Sequence, residues 1–336
     1  MKTLKKIAAL TLSCLMAGMT LTACGKTADT AADTASDNAA ASDKVYNIGI
    51  CQLVEHEALD AATQGFKDAL VEKLGEGNVT FSEQNAQGES TNCATICTGF
   101  VSDNCDLILA NATPALQAAA AATNTIPIVG TSITDYATAL DIDDWTGKTG
   151  TNITGTSDLA PIDQQEDMLL EMFPEAKTIG ILYCTSEANS KYQATMFENA
   201  LTEDGITYKE YTAADSNEIQ SAVTSAVAEC DVLYVPTDNT MASNTEIIKN
   251  VAVPAGIPVI AGEEGICTGC GVATLSISYY DIGHAAGEMA YDILVNGTNP
   301  AEMDIRFAPQ VTKEYNPEIC ETLGITPPEG YVAIGE

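Results

Sequence analysis

The chain has 336 residues, of which 46% are apolar and 18% charged, so it is long enough for two lobes and apolar enough to fold, which excludes wholesale disorder. Acidic residues outnumber basic ones 47 to 14, for a formal charge of −33, and three of the Lys fall within the first six residues. A surface of that sign repels phosphate backbones and anionic headgroups, so nucleic-acid binding and membrane attachment through a basic patch are both excluded.

In chain order, the first segment reads as an address. Residues 1–6 are basic, and residues 7–22 are mostly apolar and small, too short for a comfortable membrane span. They close on Leu21-Thr-Ala-Cys24-Gly25, a string that resembles a bacterial lipobox, with an ordinary secretory signal as the alternative. Residues 1–23 are therefore expected to form a lipoprotein signal peptide and Cys24 to carry the lipid. From residue 26 to 44 no apolar side chain is larger than Ala, so residues 24–44 form a lipidated, solvated tether with a reach of roughly 25 Å. The expected location is the outer face of the cell membrane.

The folded body starts near Val45. Residues 45–51 form an apolar strand, and residues 59–74 carry apolar positions at helical spacing before Gly75 and Gly77 end the run. Strands follow at 79–82, 107–110 and 128–130. The pattern then repeats: Ile48-Gly-Ile50 returns as Ile179-Gly-Ile181, Phe66-Lys-Asp-Ala-Leu70 as Phe197-Glu-Asn-Ala-Leu201, Asp106-Leu-Ile-Leu109 as Asp231-Val-Leu-Tyr234, and Ile126-Pro-Ile-Val129 as Ile257-Pro-Val-Ile260. The offset is 131 residues for three of these matches and 125 for the other. Short apolar runs alternating with helices predict an α/β fold of two similar lobes, each a parallel sheet flanked by helices, with a ligand cleft between them. Residues 273–278 read as a crossing segment and 280–295 as a helix. Hinge crossings near residues 155, 277 and 304 divide the chain into an N-terminal lobe (45–155 and 277–303) and a C-terminal lobe (156–276 and 304–336).

Beyond Cys14 in the signal and Cys24, nine cysteines remain, an odd number that cannot all pair within one chain. Cys51, Cys105, Cys184 and Cys230 lie in or beside strand-like runs and read as core. Cys267-Thr-Gly-Cys270 has the spacing of a redox dithiol or half a zinc set, but no second pair or neighbouring His completes it. It reads as a loop feature, with a disulfide as the alternative. No metal and no cofactor is implied.

On parallel sheets, ligands sit outside the carboxyl ends of the strands. Those ends are polar here. The first lobe offers Glu55 and His56, then Asn111, Ala112 and Thr113, with Thr113 placed to cap a helix and Pro114 to open it, and then Thr131 and Ser132. The second lobe answers with Ser186, Glu187, Asn189 and Ser190, then Asp238 and Asn239, and finally Glu263.

The lipobox, Val54-Glu-His56-Glu-Ala-Leu59-Asp60, Asn85-Ala-Gln-Gly88, Asn152-Ile-Thr-Gly155, Ser186-Glu-Ala-Asn-Ser190, Pro236-Thr-Asp-Asn239 and the Ile257-Pro-Val strand together resemble the tryptophan/tyrosine-type substrate-binding lipoproteins of ABC importers, across residues 45 to 330. The resemblance implies a type I periplasmic-binding fold, delivery of a small solute to an ABC permease and its ATPase, and an aromatic amino acid as cargo. It also places the 280–295 helix against the first lobe. One departure is Asp135-Tyr136, where such proteins often have Asp-Pro.

The residues also bear on the solute. The single Arg, Arg306, lies in a late strand-like stretch and reads as a surface or hinge residue, so a ligand carboxylate would rest on helix N-termini and hydroxyls such as Thr113, Ser132 and Ser190. An ammonium would meet Asp238 first, because it ends a buried strand facing the cleft, with Glu187 and Glu263 next. The alternative for each is a helix cap. His56 either contacts the ligand or caps the first helix. Tyr136, Tyr183, Tyr192, Tyr279 and Tyr280 lie near cleft edges and could wall in an aromatic ring. A branched-chain amino acid or a nucleoside-like solute would fit the same arrangement, and a ligand-sensing lipoprotein is a further alternative. Enzyme motifs are missing: there is no Gly-x-Ser-x-Gly elbow and no phosphate loop, and the two His have no metal-ligand spacing.

Overall fold

The computed structural model describes residues 44–335. The signal peptide, Cys24 and all but the last residue of the tether lie outside the described residues. In chain order the elements are β1 (Tyr46–Gln52), α1 (Glu57–Leu74), β2 (Val79–Asn85), α2 (Ser90–Ser102), β3 (Leu107–Asn111), α3 (Thr113–Ala122), β4 (Ile128–Ile133), α4 (Tyr136–Leu140) and β5 (Ile153–Ser157). After a crossing come α5 (Ile162–Met172), β6 (Thr178–Cys184), α6 (Ala188–Glu203), β7 (Thr207–Ala213), α7 (Ile219–Val227), β8 (Val232–Val235), α8 (Asn239–Ala242), α9 (Thr245–Ala255), β9 (Val259–Ala261), α10 (Glu264–Cys270) and β10 (Ala273–Ser276). The chain closes with α11 (Tyr279–Leu294), β11 (Arg306–Phe307), β12 (Thr312–Tyr315), α12 (Pro317–Leu323) and β13 (Val332–Ala333).

Two sheets result, ordered β11-β5-β4-β3-β1-β2 and β13-β12-β10-β9-β8-β6-β7. All pairings are parallel except β10 with β12. The duplication extends to register: Ile48 faces Leu107 as Ile179 faces Val232, and Ile108 faces Ile128 as Leu233 faces Val259. The same polar device recurs at the strand starts. Asp106 accepts from the backbone N–H of Asn47 at 2.8 Å, and Asp231 accepts from that of Thr178 at 3.0 Å. Phe66 and Phe197, also equivalent, are both fully buried, the latter stacked on Tyr234 with centroids 3.7 Å apart.

The helix α1 starts at Glu57, two residues before the first apolar position, with Glu57 and Asp60 in the first turn where acids favour the helix dipole. Gly75 ends it at φ +87°. Across the lobe, α11 lies on α1 at very short range, possible only because small residues face each other. A Cβ on Gly283 would meet the Ala62 backbone, and one on Gly287 would come 2.6 Å from the Phe66 carbonyl oxygen. This late helix thus belongs to the first lobe.

Three details differ from the sequence reading. Residues 273–276 are strand β10, hydrogen-bonded to β9 and β12, so the second crossing shrinks to Ile277 and Ser278. Arg306 and Phe307 pair with Thr156 and Ser157 in the first sheet, which puts the third crossing at 308–311 rather than near 304. Cys267-Thr-Gly-Cys270, read as a loop feature, forms the end of helix α10 (Glu264–Cys270), whose first backbone N–H groups are capped by Glu263. All nine described cysteines are free, buried thiols.

Candidate functional site

The carboxyl ends of both sheets face a cleft that is closed in this structure. Across it, His56 Nε2 meets Asn239 Oδ1 at 3.2 Å, and Gln193 Nε2 reaches Thr134 Oγ1 at 3.5 Å. Two cavities mark its mouths. One of about 550 Å³ lies on the hinge side between Glu57 and Ala61 of the first lobe and Glu263, Glu264 and Glu314 of the second. The other, about 360 Å³, lies between Leu53, Gly88 and Thr91 and Ser186, Thr240 and Asn244.

Within the first lobe, Asn111 and Thr131 are fully buried and serve as scaffold. Asn111 Nδ2 donates to Leu59 O at 2.8 Å and to Thr63 Oγ1 at 2.9 Å, pinning α1 to β3, while Thr131 Oγ1 accepts from Thr156 at 3.1 Å. Ala112 and Ser132, at adjacent strand ends, both adopt positive φ (+87° and +56°), a region costly for residues with a Cβ. Such strain concentrates where backbone must approach a ligand. Thr113 is the first helical residue of α3 and Ala112 the cap, one residue earlier than read from the sequence, because the Ala112 N–H turns back to Thr131 O at 3.1 Å. Glu55 is exposed and lines a groove confined to the first lobe with Gln52, Asp60 and Lys67, so the structure does not bring it to the cleft.

The second lobe's Asp238, Glu187 and Glu263 are engaged by protein donors, whereas Glu314, beside the hinge-side cavity, has a buried Oε2 with no partner among the described residues. Asp238 is fully buried, its Oδ2 accepting from Cys184 N at 2.6 Å and its Oδ1 from Met241 N at 2.8 Å. Burial, and then the nearby Glu187 charge, pushes its carboxyl well above the ordinary range, against these bonds and one from Ser190. Glu187 accepts from the N–H groups of Asn239 and Thr240, the Asn239 amide at 2.6 Å and the Thr240 hydroxyl at 2.7 Å. Glu263 caps α10 at Gly265 and Ile266, and burial pushes it up to about 7. Ser186 is exposed at the outer mouth.

Among the buried polar atoms with no hydrogen-bond partner among the described residues, four lie at or just beyond the cleft ends of strands: His56 Nδ1, Asn111 Oδ1, Ser132 Oγ and Asn189 Oδ1. The Asn239 amide donates to Glu187, so its Oδ1 must accept, and His56 Nε2 carries the proton. Burial lowers the His56 pKa, the ring is neutral, and Nδ1 is left as a bare acceptor. Asn189 Nδ2 is similarly engaged by Glu187 at 3.3 Å, Ser190 at 3.2 Å and Thr237 O at 3.4 Å, which leaves Oδ1 as a bare acceptor. Buried polar atoms are satisfied in the great majority of cases, so these atoms on both lobes are candidates for contact with a polar solute.

These observations fit what the chain resembles. The family described as ABC transporter substrate binding protein matches residues 47–334. The chain belongs to that family. It is 41% identical over 255 residues to the "Tyrosine-binding protein" of Clostridioides difficile (strain R20291), covering 75% of this chain and 74% of that one. The solved ABC domain from Streptococcus pneumoniae in complex with L-Trp is 32% identical, covers 87% of this chain and 100% of its own, and superposes with a TM-score of 0.82. A ligand-free, open substrate-binding protein with adhesive properties from Clostridium difficile is 38% identical over 86% of this chain and 99% of its own, yet superposes at only 0.67. This substrate-binding protein thus has the type I periplasmic-binding fold, and as a whole it superposes better on the tryptophan complex than on the open form.

Of the five tyrosines, the fold takes most away from the cleft. Tyr136 is fully buried in the first lobe, its hydroxyl donating to Thr156 O at 3.1 Å over Gly130, and this occupies the space where Asp-Pro was expected. Tyr183 points to Glu210, and Tyr280 is exposed and donates to Asp68. Tyr192 is half-buried on α6 near Asp135 of the other lobe. Tyr279 is buried and donates to Asp158 at 3.0 Å, and both it and Tyr280 line the hinge-side cavity. The sequence reading passed over Asp158 and Gln193, although a polar residue directly after a buried strand was the available signal for the first.

Proposed function

We propose that this substrate-binding protein captures an aromatic amino acid, tyrosine or tryptophan, in its interlobe cleft and passes it to an ABC permease, held at the outer face of the membrane by a lipid on Cys24. The observation that carries the cargo is the pairing of the two relatives, one named for tyrosine and one solved with L-Trp, with a cleft whose unsatisfied atoms come from both lobes. A ligand that touches Ser132 on one side and Asn189 on the other favours the closed arrangement over the open one. The test is thermal melting against each common amino acid, sugars and nucleosides. A ligand at 100 times its Kd adds about 2.7 kcal/mol, a shift easily measured. Tyrosine or tryptophan should give the largest rise, and stabilisation by isoleucine, a nucleoside or a sugar alone would overturn the reading.

A further inference from the structure

Three thiols meet in the first lobe away from the cleft residues. Cys51 lies on β1, Cys93 and Cys97 lie one turn apart on α2, and all three are 0% exposed within one apolar core. The packing of α2 on β1 sets them opposite one another. A Cβ on Gly49 would come 2.5 Å from the Phe100 ring, so helix and strand touch there. Cys51 points to the same face of the sheet as Gly49, about 6.6 Å further along the strand. Because α2 joins the parallel strands β2 and β3, it runs back against β1. Phe100, Cys97 and Cys93 share one stripe of that helix, with Cys97 about 4.5 Å and Cys93 about 10.5 Å from Phe100 along its axis. The strand's advance falls between these two distances. Cys51 therefore sits between its two partners, and its thiol hydrogen-bonds to both.

The other six of the nine described thiols are placed differently. Cys105 accepts from the Asn47 amide, Cys184 meets the Ser186 hydroxyl, and Cys230 donates to the Tyr211 hydroxyl. Cys270 and Cys320 donate to the carbonyls of Ile266 and Val272. Cys267 and Cys270, with the spacing of a redox dithiol, both lie inside α10, where burial pushes each thiol well above its ordinary range. Cys93 is the opposite case. The hydrogen bond from Cys51 lowers its pKa against burial, while the bonds to Cys93 and Cys97 push Cys51 up. Loss of one proton thus leaves the charge on Cys93, and the thiolate is the nucleophile of disulfide exchange. Among the described residues no group of three His, Cys, Asp or Glu is arranged to hold a metal ion, which sets a metal centre aside. A way in exists at the start of α2. Residues 89–92 are exposed, the helix begins without a side-chain cap, and Ser90 and Thr91 border the outer mouth of the cleft. An uncapped, exposed first turn opens at far lower free energy than the whole lobe.

We propose that Cys93 and Cys51 are a redox pair, which small-molecule disulfides oxidise to an intramolecular disulfide while Cys97 remains a thiol. The Cys93 thiolate attacks one sulfur of the small disulfide, breaks its S–S bond and forms a mixed disulfide as one small thiolate leaves. That thiolate takes the Cys51 proton. The Cys51 thiolate then attacks the Cys93 sulfur and expels the second small thiolate, which takes the proton first released by Cys93. Two protein thiols are oxidised and one small disulfide is reduced to two thiols. The bond joins β1 to α2 within one lobe, so the reaction does not depend on the cargo.

The test is incubation of the purified full-length protein with hydroxyethyl disulfide, a neutral reagent that the −33 charge of the chain does not repel, followed by alkylation, proteolysis and mass spectrometry. The expected product is a pair of peptides joined at Cys51 and Cys93, lighter than the reduced pair by two hydrogens, with Cys97 alkylated. Cys93→Ala should form a disulfide at least about tenfold more slowly, and Cys97→Ala should stay within about threefold of the parent. Thiols that persist at all three positions overturn the proposal. So does a linkage of Cys267 to Cys270 or of Cys51 to Cys97 in its place, or a mixed disulfide on Cys93 that never resolves. The mapping is made on the parent protein and decides the matter even where a variant does not fold.

Discussion

Glu263→Gln tests whether the cleft's second lobe stores an electrostatic cost. Glu263 is 2% exposed, accepts from Ile266 N at 2.5 Å and Gly265 N at 2.7 Å, and has its pKa raised from 4.5 to about 7, by burial first and then by Glu57 and Glu264. Between those two values the folded protein holds a proton that the unfolded chain has released, so stability falls as pH rises through this window. Each pH unit of difference is worth about 1.36 kcal/mol, so about 3 kcal/mol is present near pH 4.5 and lost by about pH 8. Gln does not titrate. Its amide opposes one of the two capping N–H groups, a deficit of about 1–3 kcal/mol at every pH. The variant should therefore melt well below the parent near pH 5, and the gap should shrink by about 3 kcal/mol near pH 8, roughly 2–4 °C for each kcal/mol. Other raised acids, such as Glu166 and Glu314, titrate in both proteins and cancel in the comparison. Melting curves of parent and variant that stay parallel across the range would refute the buried-acid argument.

Three further outcomes follow from named contacts. Gly283→Ala drives a methyl into the Ala62 backbone of α1, so it should lower stability by about 1–3 kcal/mol, and an unchanged melting temperature would mean the two helices do not pack this closely. Asp238→Asn cannot accept from both Cys184 N and Met241 N, so urea unfolding should show a loss of about 1–3 kcal/mol; no loss would remove its capping role. Cys24→Ala should shift the protein from membrane to soluble fractions with its ligand-induced melting shift intact, because residues 24–44 separate anchor and fold; retention in membranes would refute the lipid anchor.

The repeat was legible because it is local. A strand, a helix and a strand that pack on one another carry their pattern in a few dozen residues, and the offsets of 131 and 125 even carry the register in which Ile48 meets Leu107 and Ile179 meets Val232. Partners of polar side chains were not legible in this way. Asp238 stands at the end of a buried strand facing the cleft, and this made it a plausible ammonium site. The backbone N–H that occupies its Oδ2 belongs to Cys184, 54 residues earlier, and nothing in the local sequence announces it. Asp158 and Tyr279 are 121 residues apart and meet only because two crossings run side by side.

The duplication itself shows how the two sides of the cleft differ. Positions related by the repeat have diverged in charge: His56, Thr113 and Ser132 of the first lobe correspond to Glu187, Asp238 and Glu263 of the second. In the second lobe each carboxylate neutralises backbone N–H groups at a helix start. In the first lobe α1 and α3 begin without a side-chain cap, behind His56 and Ala112. Their N-termini keep uncompensated N–H groups, which favour an anion. Two lobes built on one plan would by themselves present a near-symmetric cleft, whereas an α-amino acid carries opposite charges a few bonds apart. Divergence has made capping differ at these positions: α8 and α10 start on carboxylate caps, whereas α1 and α3, like α6, start without one.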